Sequence, residues 1–316
     1  MRAVVASGKG YENLAVKEVP VPEIGPDQLL ARVDAAGVCT SNLKLIAQGE
    51  DHSFMNGWDM AQSPIILGDE GAVTVVQVGS NLKHLYDVGQ RYAVQPAVDT
   101  QPIRHREKYR NNAEGVNKCA IGYTLGGLLA QYIRIQEEVL KADCLLPLPD
   151  NDLASFEVSM GEPISCVYSA QTRHYHLLKD GPHAERTAHI GLKPGGITVI
   201  RGAGVMGRMH AEFALRFKPE VLIVADHKEE RRARTEDSIA GKAASADCRL
   251  MCISPNDLAT VITDVSRGRG ADDFILALGV KDEQQRALAM LAPGGVANLF
   301  GGLPRGDHIL DLDTIA

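Results

Sequence analysis

Residues 198–217, TVIRGAGVMGRMHAEFALRF, decide the reading of this chain. They run from an apolar, strand-like segment through Gly202, Gly204 and Gly207 into a stretch with helical character. The pattern G-x-G-x-x-G is weak alone and gains its force from this strand-to-helix context. Gly202 permits the tight turn, Gly204 lets the backbone approach a pyrophosphate, and Gly207 allows the helix to pack closely on the strand. Val205 and Met206 belong to the same loop, where the helix amino terminus favours an anion. A second apolar run, VLIVA, ends in Asp226, nineteen residues after Gly207. A carboxylate there can hydrogen-bond both ribose hydroxyls, which favours NAD over NADP. His227, Lys228, Arg231 and Arg232 follow. They read as a solvated helix face of mixed charge, although a basic residue there could accept a 2′-phosphate and leaves NADP open.

Working outward, apolar β runs alternate with helical stretches from about Pro194, the pattern of βαβ units feeding a parallel sheet. Strands are predicted at 197–201, 221–225, 248–253, 274–278 and 296–300. The first 160 or so residues instead carry short β-rich runs at 1–6, 29–35 and 72–78, broken by Gly and Pro turns, and read as an irregular, mostly antiparallel domain. The boundary falls within 162–193. Residues 173–189, with His174, His176, His183 and His189 among charged neighbours, suit no regular element and read as a loop insertion.

A chain of 316 residues is long enough for two domains, each with its own core. The amino terminus has no continuous apolar h-region, and no apolar run approaches the roughly 18 residues needed to span a bilayer. A soluble cytoplasmic protein without a membrane partner is expected. The formal charge of -7 argues against a general polyanion-binding role, and so against nucleic acid. Cys39, Cys119, Cys144, Cys166, Cys248 and Cys252 lack a framework spacing, so reduced thiols or a metal site are favoured over a disulfide scaffold.

Candidate metal ligands lie in the first domain: Cys39 with Ser41 in GVCTSN, Asp69 and Glu70 in LGDEG, and Glu162 in MGEPISC. Zinc takes thiolate, imidazole or carboxylate ligands, and a catalytic site keeps one position open. Taken singly, each has an ordinary alternative, since an isolated cysteine is often a small core hydrophobe and an Asp-Glu pair is usually exposed.

With the glycine motif behind them, the segments GVCTSN, ILGDEGAVTVVQVGS, DVGQRYAVQP, GEPISC, LKPGGITVIRGAGVMG and LAPGGVANLFGG resemble the zinc-containing medium-chain alcohol dehydrogenase family over nearly the whole chain. The resemblance implies an α/β protein with a GroES-like catalytic domain at 1–165 and a Rossmann doubly wound sheet at 166–316. It implies hydride exchange between an alcohol and a nicotinamide cofactor. In sorbitol-dehydrogenase-like members a cysteine, a histidine and a glutamate hold the zinc at positions matching Cys39, Asp69 and Glu70; the glutamate matching Glu162 lies beside the metal and sometimes ligates it. The segments CTSNLK, QGEDH, RYAVQPA and GY...GGLLAQY look most like sorbose-phosphate-reductase-type enzymes.

Three departures matter. The family's LGHE is LGDE here, so Asp69 stands where an imidazole is expected; an anionic oxygen there makes a bound ion a poorer Lewis acid. The lobe that carries four cysteines in many members reads RHREKYRNNAEGVNKC, with Cys119 alone, so no structural zinc is expected. Its Arg104, Arg106, Lys108 and Arg110 could meet a phosphate, or form a solvated loop. Finally, the sequence ends soon after the fifth predicted strand, whereas the family continues through a sixth strand that often pairs across a dimer interface. A full-length form is expected to be a homo-oligomer, and loss of that strand to leave the fifth strand's edge unpaired.

The expected reaction is oxidation of a secondary alcohol, of polyol or sugar-phosphate type, with one zinc at Cys39, Asp69 and Glu70 and Ser41 relaying the proton. Lys44 and His52 are further candidates on the same segment. Two alternatives stay open: a metal-free reductase of the same superfamily, and a non-catalytic dinucleotide-binding protein.

Overall fold

The computed structural model describes residues 1–99, 103–148, 153–179, 181–303 and 310. The chain divides into two compact units at Pro163 and Ile164. The first opens with β1 (Arg2–Ala6), β2 (Leu14–Glu18), β3 (Leu29–Ala36) and helix α1 (Thr40–Gln48). There follow β4 (Ile65–Ile66), β5 (Gly71–Val78), β6 (Arg91–Val94), β7 (Ala97–Val98), β8 (Cys119–Ala120) and β9 (Tyr132–Ile135). Helix α2 (Glu137–Lys141), β10 (Leu145–Pro147) and α3 (Ser155–Ser159) close the unit, and α4 (Gly161–Gln171) carries the chain into the next.

The strands expected at 1–6, 29–35 and 72–78 are β1, β3 and β5, and their pairing is antiparallel. A five-stranded sheet runs in the order β10-β6-β5-β3-β9, beside a three-stranded sheet β2-β1-β4. Alternation explains the core: Leu29 and Ala31 on β3 and Val73 and Val75 on β5 point inward and are fully buried with Ile133 and Ile135 of β9. The β3–β5 register slips between Val33 and Ala35, where the chain bends towards Cys39.

The second unit begins with β11 (Tyr175–Lys179) and β12 (Arg186–Ile190), paired as an antiparallel hairpin with His176 opposite His189. The loop insertion expected at 173–189 is therefore corrected to a hairpin. Its strands are rich in His, Lys and Arg, and a polar strand gives no apolar alternation to read.

A parallel sheet follows, built from β13 (Ile197–Arg201), α5 (Val205–Ala214), β14 (Val221–Ala225), α6 (Glu229–Ser245), β15 (Arg249–Ile253), α7 (Leu258–Ser266), β16 (Ala271–Leu276), α8 (Lys281–Ala289) and β17 (Leu291–Asn298). The strand order is β15-β14-β13-β16-β17, with every neighbouring pair parallel. Ile200, Leu222, Val224 and Ile275 face Ala211 of α5 and Ile239 and Ala243 of α6, whereas Val199, Ile223, Phe274 and Leu276 face Leu258, Ile262 and Ala287. Burial on both faces explains why these strands read as continuous apolar runs. The order reverses at β13, and the Gly202 loop leaves the carboxyl end of that strand, the position where doubly wound sheets bind ligands.

Two strand boundaries need correction. The strand expected at 274–278 is Ala271–Leu276, and that at 296–300 is Leu291–Asn298. Asp272 and Asp273, which precede the expected strand, are buried in β16 because partners satisfy their carboxylates. In β17 the Pro-Gly-Gly sequence sits at a register shift against β16, where a Cβ on Gly295 would press on the Ala271 carbonyl at 2.7 Å. The expectation of an unpaired fifth-strand edge turns on chain beyond Leu303, most of which lies outside the described residues. No helix among the described residues is long and apolar enough to cross a membrane.

His210, on α5, is fully buried and packs edge-on to Phe300 with ring centroids 4.5 Å apart. Gln171 Nε2 donates to the His210 carbonyl at 2.8 Å and lies 3.1 Å from its Nδ1. Burial, reinforced by His174, pushes the His210 pKa down to about 4. An unfolded imidazole titrates near 6.5, so the unfolded chain binds the extra proton first and stability falls as pH drops from about 6.5 towards 4. Denaturant unfolding at a series of pH values is expected to show this loss, on the order of 3 kcal/mol, reduced in His210→Gln; parallel curves for the two proteins would show that His210 does not titrate this way.

Candidate active site

Cys39 caps α1, its Sγ 3.5 Å from the Ser41 amide. Gly68, at a φ of 104°, turns the chain out of β4 so that Asp69 and Glu70 precede β5 on the same side as that cap. The two pieces are tied directly. Ser41 Oγ donates to Asp69 Oδ2, and Asn42 Nδ2 lies 3.3 Å from Asp69 Oδ1. Asn42 also accepts from the Gly68 amide at 3.2 Å, and Gly37 donates to the Glu70 carbonyl at 3.0 Å. A Cβ on Gly37 would stand 2.5 Å from Glu70 Oε2, so this glycine makes room for the carboxylate.

The result is a convergence of donors: Cys39 Sγ and one oxygen each of Asp69 and Glu70 lie within 4.8 Å of one another. Asp69 and Glu70 are buried, unlike an ordinary Asp-Glu pair. Burial pushes the Cys39 thiol up to about 12, an effect that Asp69 reinforces. Burial also raises the Glu70 carboxyl. Three potential anions thus converge in a buried place, and full ionisation of all three there calls for a cation. One thiolate and two carboxylates suit zinc, with a position left for another ligand.

Glu162, on the first turn of α4, is not among the three converging donors; its charge acts on Tyr123. Lys44 lies on α1, and His52 is buried with its ring 5.1 Å from that of Tyr123. Asn42 and Tyr123 are site residues that sequence reasoning passed over. Burial raises the Tyr123 phenol well above its ordinary value, opposed by Ser41 and reinforced by Asp69. The available signal was the glycine before it: a Cβ on Gly122 would press on the Gly68 carbonyl at 2.5 Å, so this loop must lie against the turn that presents Asp69.

The basic residues of the 104–110 segment have local partners. Arg104 pairs with Glu137 and Glu138, Arg106 donates to the Asn112 carbonyl at 3.0 Å, Arg110 pairs with Asp51, and Lys108 lies over the Trp58 ring. Cys119 is buried at β8, its Sγ 3.9 Å from the Val98 carbonyl. The phosphate reading of this segment has no support in these contacts.

In the second unit Gly202 has a φ of 104°, as its turn requires, and a Cβ on Gly207 would collide with the Gly202 carbonyl oxygen. A Cβ on Gly204 would meet nothing within 4 Å, so the loop is open where a pyrophosphate approaches, and Val205 and Met206 begin α5. Asp226 is buried, and its carboxylate accepts from Ala203 N at 2.8 Å and Lys228 N at 2.9 Å, holding its pKa low despite burial. In this structure it braces the glycine loop, with His227 and Arg231 each 3.5 Å away.

Residues 25–150 match the model of the alcohol dehydrogenase GroES-like domain. L-sorbose 1-phosphate reductase of Klebsiella pneumoniae is 31% identical over 310 residues, covering 93% of this chain and 67% of that protein. The chain belongs to the medium-chain alcohol dehydrogenase family. Mannitol-1-phosphate 5-dehydrogenase of Aliivibrio fischeri is 27% identical over 93% of this chain and 66% of its own length. The chain thus spans about two thirds of the length of these family members. Among solved structures, a protein of Sinorhizobium meliloti 1021 described as a zinc-binding dehydrogenase and bound to NADP has the same fold, with a TM-score of 0.74 at 22% identity over 99% of this chain and 80% of that one. Galactitol-1-phosphate dehydrogenase of Escherichia coli shares it at a TM-score of 0.70 and 21% identity, over 99% and 79%.

The two family glycines separate by their surroundings. Gly207→Ala is expected to lower the melting temperature by several degrees because the helix must move off its strand, whereas Gly204→Ala, with open space around it, should stay within about 2 °C of wild type. Calorimetry of both variants checks the difference; equal losses would mean that the glycine loop is not packed as described.

Proposed function

We propose that this chain is a metal-assisted, nicotinamide-dependent oxidoreductase acting on a secondary alcohol or the corresponding ketone, of polyol or sugar-phosphate class. The observation that carries the reading is the convergence of Cys39, Asp69 and Glu70 around one point. A divalent ion such as zinc supplies the electrophile that lowers an alcohol's pKa, and the dinucleotide supplies the hydride acceptor. Cys39, Asp69 and Glu70 hold the ion. Ser41 holds a proton at its Oγ, directed to Asp69, and is placed to take up or return the proton of the substrate hydroxyl. Asn42 fixes Asp69 from its other oxygen. Tyr123, with His52 and Phe54 packed around it, bounds the apolar side of the site and helps keep water out. The substrate class rests on relatives named for sugar-alcohol and ketose phosphates, D-arabitol-phosphate dehydrogenase of Enterococcus avium among them at 26% identity.

For the cofactor, the loop from Gly202 to Gly207 receives the pyrophosphate, and Asp226 at the end of β14 favours NAD. One observation supports NADP as a second reading. The Asp226 carboxylate already accepts two backbone N–H groups, and Arg231 and His227 stand beside it. A 2′-phosphate would meet the Arg231 guanidinium, with the His227 imidazole beside it.

Elemental analysis together with a hydride-transfer assay tests the reading. Wild type loaded with zinc should reduce NAD or NADP with a sugar-alcohol phosphate, and Cys39→Ala should lose both the ion at this site and at least about a hundredfold in turnover. Turnover undiminished in Cys39→Ala would leave a metal-free reductase, and dinucleotide binding without any turnover would leave a binding protein. Arg231→Ala should weaken NADP binding about tenfold and leave NAD binding unchanged if NADP is the partner, and should affect neither if NAD is.

A further inference from the structure

Away from the Cys39 centre, the second unit buries a second set of metal-binding donors. His174 and His176 flank the exposed Tyr175 and, at strand spacing, turn to the same side. His174 Nδ1 lies 2.6 Å and His176 Nε2 2.8 Å from the same oxygen of Asp273, Oδ1, on β16. The three donor atoms lie within 4.8 Å of one another, and all three side chains are buried.

The charges around the two adjacent aspartates differ. Asp272 is neutralised by Lys193 Nζ at 2.7 Å and by two N–H groups of Arg269 at 2.6 and 2.8 Å. Asp273 is fully buried, yet among the described residues its ion-pair partners are the two imidazoles alone, with the Lys193 amide on its other oxygen at 2.8 Å. A fully buried carboxylate is costly without a positive charge beside it. Either an imidazolium or a metal ion can provide that charge, and a second observation counts against a neutral, metal-free ring. His174 Nε2 is buried without a hydrogen-bond partner, and so is the acceptor Gln171 Oε1, three residues earlier. With the ring proton on Nδ1, His174 hydrogen-bonds Asp273 and presents Nε2 as a second buried acceptor. With Nδ1 on a metal, the proton moves to Nε2 and makes it a donor, the arrangement usual for metal-bound histidines.

We infer that His174, His176 and Asp273 form a second metal site, for a divalent transition ion of the zinc type, which clasps the β11–β12 hairpin to the parallel sheet. Zinc bonds of 2.0–2.2 Å at tetrahedral angles place donors roughly 3.3 Å apart, so the contacts of 2.6 and 2.8 Å need open by only about 0.5 to 0.7 Å. The burial of all three ligands makes this a structural clasp and not a second reactive centre. The inference does not depend on the function proposed for the Cys39 centre.

The test uses the full chain in the Cys39→Ala background, loaded with zinc or cobalt and freed of loose metal on a desalting column. Cys39→Ala should retain about one equivalent per chain, and its cobalt form should show visible d–d bands without a sulfur-to-cobalt charge-transfer band. Proton NMR of that cobalt form should show two shifted, exchangeable imidazole N–H signals, a readout that needs no further variant. Adding His176→Gln should abolish retention and the rise in melting temperature that zinc gives the single variant. Cys39→Ala that binds no metal, or cobalt bound without imidazole signals, would overturn the inference while leaving the Cys39 centre standing. Wild type with one equivalent, no sulfur charge-transfer band and unchanged content in Cys39→Ala would uphold the clasp and remove the Cys39 centre.

Discussion

The first unit depends on how the carboxylate of Asp69 is satisfied. It is buried, and one oxygen takes the Ser41 hydroxyl while the other faces the Asn42 amide. Those donors sit on the first turn of α1, immediately after Cys39, so one side chain joins the helix start to the strand start and brings the thiol, Asp69 and Glu70 together. Glycines at 68 and 122 serve the same end by letting backbone segments approach more closely than a Cβ would permit, and Gly37 leaves room for the Glu70 carboxylate. The site is therefore built from backbone proximity and from the side-chain hydrogen bonds of Cys39, Ser41, Asn42 and Asp69.

The second unit repeats this use of carboxylates with different donors. Asp226 accepts from the glycine loop and from the turn after β14, which fixes the loop against its neighbouring strand. Asp272 gathers the loop before β13 through the Ile197 amide as well as Lys193 and Arg269. Each buried acid is tolerated because backbone N–H groups or cations meet it, and each thereby fixes a connection that apolar packing leaves undetermined. Asp273 differs in that its ion-pair partners among the described residues are the two imidazoles of the hairpin.

This also explains what could be read from the sequence. Strands β13 and β14 were legible to the residue because every position in them is apolar or buried on a two-sided sheet, and the glycine loop was legible because its turn, approach and packing each require a missing Cβ. β16 was placed three residues late because its first turn of burial is acidic, and hydropathy cannot show that Lys193, Arg269 and the imidazoles lie opposite. The hairpin was missed for the same reason from the other side: the ring nitrogens of the buried His174 and His176 meet Asp273, about a hundred residues later in the chain. In the first unit the residue types at 39, 69 and 70 were visible, but their convergence was legible only through the family resemblance and not from their spacing. It rests on Asn42 and Gly122, whose roles are contacts with distant backbone. Tyr123 was invisible because an aromatic in a glycine-rich loop has many ordinary uses.

The aspartate at position 69, where the family pattern has histidine, has a narrower consequence than charge counting suggests. Exchanging a neutral nitrogen for an anionic oxygen adds a full charge at a bound ion and weakens it as a Lewis acid. Both oxygens of Asp69 are hydrogen-bonded, however, and each bond draws electron density away from the carboxylate. The hydrogen bond that Ser41 donates to Asp69 Oδ2 reduces the anionic character that an ion would feel. The serine and asparagine beside Cys39 therefore offset part of what the lost imidazole would cost, and they do so with the same two contacts that assemble the site.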